Sequence, residues 1–116
     1  FGGTPFVSAI AVAVVTTMLA DDLPGNAARV GKYFLDRLEG LRAAHPMVKA
    51  VRGKGLILGM DVAVPARMIV AACMERGLLV LTAGDNVVRF VPPLIVTEAD
   101  VDRAVAIVEA ALKAAA

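Results

Sequence analysis

Apolar residues recur with the period of an α-helix in four segments of the chain. The first segment, Phe6–Leu19, is apolar nearly all round, so we expect a helix that is buried on several sides. Thr4 is placed to cap this helix, and Pro5 fits its first turn, where a missing N–H does no harm. The predicted helices span about residues 5–19, 27–44, 65–76 and 97–116.

Between these helices the apolar pattern changes to that of strands. The predicted strands span residues 48–52, 56–62, 78–82 and 87–91. Glycines mark the turn at Gly53–Gly55, and Gly84–Asn86 predicts a hairpin between the last two strands. The order of elements predicts an α/β protein of the α+β kind, in which helices cover one face of a largely antiparallel sheet of about four strands.

The composition is more hydrophobic than that of an average domain. With 116 residues the chain has the length of one small domain, and 59% of it is hydrophobic, against roughly 45–50% in an average domain. That excess indicates either a dense core or a surface that belongs against another domain or subunit. Because Phe1–Pro5 has the character of a loop entering a helix, we expect this chain to be part of a longer protein.

Charge and cysteine content exclude several kinds of partner. The net charge is +1, with 12 basic and 11 acidic residues intermixed, which argues against nucleic acid. The apolar segment at residues 5–19 is shorter than the roughly 18–20 residues that span a membrane, so no membrane partner is predicted. Cys73 is the only cysteine, which fits a reducing compartment and predicts a cytoplasmic protein.

Few residues have the types and spacing that chemistry requires, and no metal-ligand spacing occurs. His45, at a helix end, and Cys73, within an apolar helix, are more easily explained by structure than by catalysis. Arg89 stands in an apolar strand, where burial of its guanidinium is costly unless an anion binds it. The alternatives for Arg89 are a head group that reaches water or an internal salt bridge.

Two glycine-containing segments leave their roles open. At Arg52–Gly55 the glycines could let backbone amides approach an anion, but a tight turn with solvated basic side chains is the simpler interpretation. Gly2 and Gly3 precede a helix N-terminus, which can bind a phosphate, although they equally suit a plain connection.

Motifs along the whole chain, in order, resemble those of class III aminotransferases, and of the acetylornithine type most closely. The segments that carry the resemblance are FGGTP at residues 1–5, VRGKGLILG at 51–59, GLLV at 77–80 and TAGDNVVRFVPPL at 82–94. The last is the most specific of them. Thr4 departs from the pattern, since this family commonly has asparagine at that position.

The resemblance implies a pyridoxal-phosphate enzyme of fold type I, a homodimer that transfers an amino group from N-acetylornithine to 2-oxoglutarate in arginine biosynthesis. In that family the arginine at the position of Arg89 binds the substrate α-carboxylate, and the loop containing Gly2 and Gly3 lies near the cofactor phosphate of the partner subunit. Residues 1–25 would be a loop and connecting helix from a large domain, and residues 26–116 the small C-terminal domain.

The family's cofactor-binding lysine lies upstream of the matching region, so we expect no catalytic residue and no covalently bound cofactor in this chain. Lys32, Lys49, Lys54 and Lys113 occupy helix, strand and turn positions that do not suit that role. The competing interpretation is a stand-alone, non-catalytic module that binds a carboxylate through Arg89 or pairs with itself.

Overall fold

Four helices and four strands follow one another in the predicted order in a computed structural model that describes residues 1–116. They are α1 (Pro5–Ala20), α2 (Leu23–Ala44), β1 (Val48–Lys54), β2 (Ile57–Val62), α3 (Ala66–Glu75), β3 (Leu81–Thr82), β4 (Val87–Phe90) and α4 (Glu98–Ala115).

The strands form one antiparallel sheet in the order β1-β2-β4-β3, which confirms the predicted fold class. The β1–β2 turn is tight because Lys54 pairs with Ile57 and Gly55 has a φ of 56°, a conformation that glycine adopts without strain. The β3–β4 hairpin is the one predicted around Gly84–Asn86. It places β4 between β2 and β3, inside the sheet.

The core lies between one face of the sheet and the helices. Leu58 and Met60 of β2 alternate with exposed or half-buried neighbours, and Val88 and Phe90 of β4 do the same. These side chains meet α2, whose Phe34 ring packs edge-on against that of Phe90 with a centroid separation of 5.3 Å. Helix α4 packs on α2 and α3. The opposite face of the sheet carries no helix, which is what positions the candidate site.

Two predicted boundaries were wrong, each for a local reason. Helix α2 begins at Leu23 rather than near residue 27, because the Asp22 carboxylate accepts a hydrogen bond from the backbone N–H of Gly25 at 3.2 Å and so caps an earlier first turn. Strand β3 begins at Leu81 rather than residue 78. The Leu78 N–H instead donates to the Cys73 carbonyl at 2.9 Å and closes the end of α3.

The prediction that the first helix is buried on several sides is wrong for this chain. Helix α1 has no buried residue, and Phe6, Val12 and Leu19 are 76%, 66% and 71% exposed. Its neighbour within the chain is α2, which contacts one end of it. No single helix has the length and apolar character to cross a membrane. Only α1 and α2 taken together meet those criteria, across a bend of 58°.

Candidate active-site face

The face of the sheet that carries no helix presents Arg89. Side chains alternate along β4, so the burial of Val88 and Phe90 in the core places Arg89 on the opposite face. Arg89 is exposed, and its side chain forms no hydrogen bond or ion pair within the chain. The premise that this guanidinium is buried is therefore wrong for this chain, even though β4 is an inner strand. What remains is a cation that is held on a rigid strand and has no acidic partner.

A cross-strand row on this open face leaves space beside Arg89. Arg52, Gly59, Arg89 and Leu81 occupy successive positions on β1, β2, β4 and β3. Gly59 lies between the two arginines and has no side chain. A Cβ at this position would contact only Val87, at 3.3 Å. The row therefore has a gap without a side chain between the two arginines.

The second arginine of the row already has a partner. The Arg52 guanidinium donates to an oxygen of the Asp61 carboxylate at 2.7 Å, and this hydrogen bond raises the pKa of Arg52. Arg52 lies within β1 rather than in the turn, which consists of Gly55 and Leu56. A tight turn is present as expected, but Arg52 lies outside it and is a member of an ion pair. Arg89 is the arginine of this row whose charge is not balanced.

Sequence reasoning missed the contributions of Gly59 and Asp61 to this face. The signal was present, because Ile57, Gly59 and Asp61 alternate with the apolar Leu58 and Met60, and period-two alternation places them on one face. That Arg52 and Asp61 pair could not be read from the sequence, since it depends on the β1–β2 register.

Gly2 and Gly3 lie in an exposed turn before α1. Nothing in the chain comes within 4 Å of a Cβ built on either glycine, so the structure does not bring them together with Arg89. Thr4 caps α1 as predicted: its hydroxyl accepts from the Val7 N–H at 3.4 Å. Because Pro5 has no N–H and the N–H groups of Val7 and Ser8 both donate to Thr4, the first turn of α1 offers few free amides.

His45 and Cys73 have structural surroundings, as predicted. His45 is the C-cap of α2, and its Nε2 lies 3.2 Å from Oε1 of Glu109 on α4. This hydrogen bond lowers the pKa of Glu109. Cys73 is buried in α3, and burial raises the pKa of its thiol, the opposite of what a nucleophile requires. The pairing of His45 with Glu109 was not predicted.

None of the four lysines suits the covalent attachment of an aldehyde cofactor. A lysine of that kind reacts as the neutral amine in a desolvated site. The Lys32 and Lys113 ammonium groups are exposed and pair with carboxylates on their own helices, at 2.7 and 3.3 Å. Lys49 and Lys54 are exposed on β1. No group of three or more His, Cys, Asp or Glu side chains is arranged to hold a metal ion.

An apolar cavity of about 490 Å³ lies on the helical side of the sheet, away from Arg89. Its lining includes Phe34 and Phe90, and its charged edge is formed by Arg103 and Asp100. These two side chains pair with each other at 2.9 Å. The cavity therefore has no unpaired charge with which to orient a polar ligand.

Comparison with known proteins shows the family to which this chain belongs. The family description "Aminotransferase class-III" matches residues 1–112. The chain belongs to the class III aminotransferases. This family depends on pyridoxal phosphate, and the fold expected from the motif resemblance is therefore correct at the level of the family.

The relatives carry two names. The chain is 39% identical to the ornithine aminotransferase of an Exiguobacterium species over 116 residues, which is 100% of this chain and 28% of that protein. It is 43% identical to the acetylornithine aminotransferase of Caldanaerobacter subterraneus over 110 residues, 94% of this chain and 28% of that protein. The chain thus spans little more than a quarter of the length of these relatives.

Solved structures agree with this assignment. The acetylornithine aminotransferase of Elizabethkingia anophelis superposes with a TM-score of 0.89 at 28% identity, over 95% of this chain and 29% of that chain. The lysine aminotransferase of M. tuberculosis superposes with a TM-score of 0.85 at 34% identity, over 89% of this chain and 24% of that chain.

Proposed function

We propose that this chain is the C-terminal small domain, with its connecting helix, of a pyridoxal-phosphate-dependent aminotransferase, and that Arg89 binds the α-carboxylate of its substrates. The observation that carries this proposal is the free guanidinium of Arg89 on the open face, beside the gap at Gly59. Arg52 on the same row is paired with Asp61 at 2.7 Å and is not available to a ligand. A guanidinium binds a carboxylate through two parallel hydrogen bonds, and amino donors and oxo-acid acceptors both carry that group.

The rest of the machinery belongs to the part of the protein outside this chain. The exposed lysines described above do not suit the cofactor, so the cofactor-binding lysine is supplied from elsewhere. Pyridoxal phosphate, when bound, supplies the electron sink for amino transfer. Within this chain, Arg89 orients the substrate and the sheet holds Arg89. Gly2 and Gly3 approach the cofactor phosphate of the partner subunit, and the exposure of both glycines in the turn before α1 supports that role.

The proposed boundary lies between residues 1–25 and residues 26–116. Exposed apolar side chains on α1, such as Phe6 at 76%, support a role as a helix that packs against the large domain and the second subunit of a homodimer. We propose a cytoplasmic enzyme of arginine biosynthesis with N-acetylornithine as donor and 2-oxoglutarate as acceptor. The resemblance of the motif at residues 82–94 to acetylornithine enzymes supports that choice of donor.

The test is the substitution Arg89→Ala in the full-length enzyme. We expect kcat/KM for donor and acceptor alike to fall by the equivalent of about 2–5 kcal/mol, which is typical of truncating one member of a buried, hydrogen-bonded charge pair. Arg52→Ala, on the same row but paired with Asp61, is the matched control and should leave the preference for carboxylate substrates unchanged. If the Arg89→Ala enzyme keeps the kcat/KM of the unmodified enzyme for both the donor and the acceptor, the role of Arg89 is refuted.

The choice of donor has its own measurement. N-acetylornithine should be used with a higher kcat/KM than ornithine by the unmodified enzyme. A preference for ornithine would assign the chain to the ornithine enzymes and leave the role of Arg89 intact. Expression of residues 1–116 alone, mixed with both substrates and the cofactor, should give no amino transfer. Turnover by this fragment would contradict the proposed division of labour.

A further inference from the structure

Strand β4, which carries Arg89, has a short pairing with its neighbour β3. It is four residues long, and it pairs with β2 at Leu58–Asp61 but with β3 only at Leu81 and Thr82. The Arg89 side chain has no partner of its own within the chain. Its position is therefore set by the backbone of β4, which pairs with β2 and β3 at Arg89, and by whatever fixes the two ends of that strand.

The end of β4 before Val87 is held by an asparagine. The side-chain amide of Asn86 donates to the carbonyl of Val62 at 3.3 Å and to that of Val64 at 3.0 Å. The Asn86 carbonyl in turn accepts from the Val62 N–H at 2.8 Å. One residue thus joins the start of β4 to the end of β2 and to the segment that leads into α3.

A second asparagine holds the segment after β4. Pro92 and Pro93 follow the strand and have no N–H with which to anchor it. The carbonyls of Leu94 and Val96 accept hydrogen bonds from the side-chain amide of Asn26 on α2, at 2.7 and 3.1 Å. Because each proline restricts its φ to about −65°, the connection between β4 and this anchor is stiff.

We propose that Asn26 and Asn86 are positioning residues for Arg89, and that their two side-chain amides fix the ends of β4 so that the guanidinium meets the substrate carboxylate in one orientation. Each side-chain amide donates to two backbone carbonyls in another part of the chain, and no other side chain donates to these carbonyls. An alanine or aspartate in either place removes two hydrogen bonds and loosens one end of the strand, which its backbone pairing with β2 and β3 still holds in the sheet. This inference rests on the proposed role of Arg89.

The experiment compares two substrates that differ only in the carboxylate. In the full-length enzyme, kcat/KM is measured with ornithine and with 1,4-diaminobutane, which is ornithine without its carboxylate, and the ratio of the two values reports how well the carboxylate is bound. The variants are Asn26→Ala, Asn86→Ala, and the isosteric Asn26→Asp and Asn86→Asp. Asp keeps the size of the side chain but cannot donate.

We expect each asparagine variant to lower the ratio by on the order of tenfold, because a displacement of about 1 Å can cost up to a hundredfold in rate. The loss should appear mainly in the KM for ornithine. In an Arg89→Ala background the same substitutions should leave the ratio unchanged, since the group that they position is gone. If the aspartate variants do not fold, the alanine variants still measure the loss of the two hydrogen bonds.

Tyr33→Phe is the matched control. It removes a hydrogen bond of 2.6 Å between the Tyr33 hydroxyl and Asp102, on the same helix as Asn26 but towards α4. Its ratio should stay at the unmodified value. If Arg89→Ala lowers the ratio and neither asparagine variant does, the positioning role is overturned. If Arg89→Ala itself leaves the ratio unchanged, the proposed carboxylate site fails and this inference fails with it.

Discussion

The contact between α2 and the β1–β2 turn predicts opposite effects for two glycine-to-alanine substitutions in one helix. Gly31 is buried in α2, and a Cβ built on it would lie 2.8 Å from Cα of Gly55 and closer still to the carbonyl group of that residue. The obstacle is backbone rather than a movable side chain. Gly40, nine residues along by sequence number, has nothing within 4 Å of its Cβ position.

Gly31→Ala should destabilise the fold. Relief of the contact requires α2 to move away from the sheet, which loosens the packing of Val30 and Phe34. Overpacking of this kind costs about 1–3 kcal/mol, and it is offset in part by about 0.5–1 kcal/mol from the better helix propensity of alanine. The midpoints of these ranges give a net loss of about 1 kcal/mol. Gly40→Ala carries only the gain in propensity and should stabilise by about 0.5–1 kcal/mol.

Urea unfolding of the chain, followed by circular dichroism, measures both changes. Two protein concentrations separate unfolding from association through the exposed face of α1. In thermal unfolding, each kcal/mol of change in the free energy of unfolding should shift Tm by about 4 °C for a domain of roughly this size. A Gly31→Ala variant that is as stable as Gly40→Ala would refute the reasoning, because it would mean that α2 does not approach the turn as closely as described.

Three further predictions concern charge, capping and reactivity. The hydrogen bond from His45 lowers the pKa of Glu109 in the folded chain. The stabilisation that ionised Glu109 gives the fold is therefore fully present above pH 4.5, the ordinary pKa of this side chain, and is lost as the pH falls through the lowered pKa. Glu109→Gln should flatten the acid side of a plot of Tm against pH. Thr97→Ala should cost about 1 kcal/mol at neutral pH by urea unfolding, since it removes the cap of α4. That cost should shrink in acid as Asp100, whose pKa the Thr97 hydrogen bond lowers, becomes protonated. Cys73 should react with an alkylating reagent in urea but not in the folded chain.

Local features of the fold were open to prediction because their signals lie within a few residues. The cap at Thr97 and its return partner Asp100 form a complete capping box, and three residues separate them. The hairpin at Gly84–Asn86 and the period-two strands likewise depend on neighbours in sequence. Where the local signal was ambiguous, as at the start of α2, a side-chain cap at Asp22 decided the boundary.

The candidate site was only half predictable. Arg89 stood out because a guanidinium in an apolar strand requires an explanation, and the motif around it resembles a family in which the arginine at that position binds the carboxylate of the substrate. The argument from burial does not hold in this chain, because Arg89 lies on the face of the sheet that carries no helix. Exposure of one face depends on which side the helices pack, and the strand pattern VVRF does not contain that information.

The sequence by itself determined the order of elements, the sheet's apolar face, the family and the one arginine that stands out, because each of these depends on residue type and on spacing along the chain. Only the tertiary structure decided that Arg52 is paired while Arg89 is free, that Gly59 opens a gap between them, and that Asn26 and Asn86 reach the two ends of β4. Sixty-eight residues separate Asn26 from Leu94. Contacts over such distances are set by strand register and helix packing, which arise from the burial of the whole core at once.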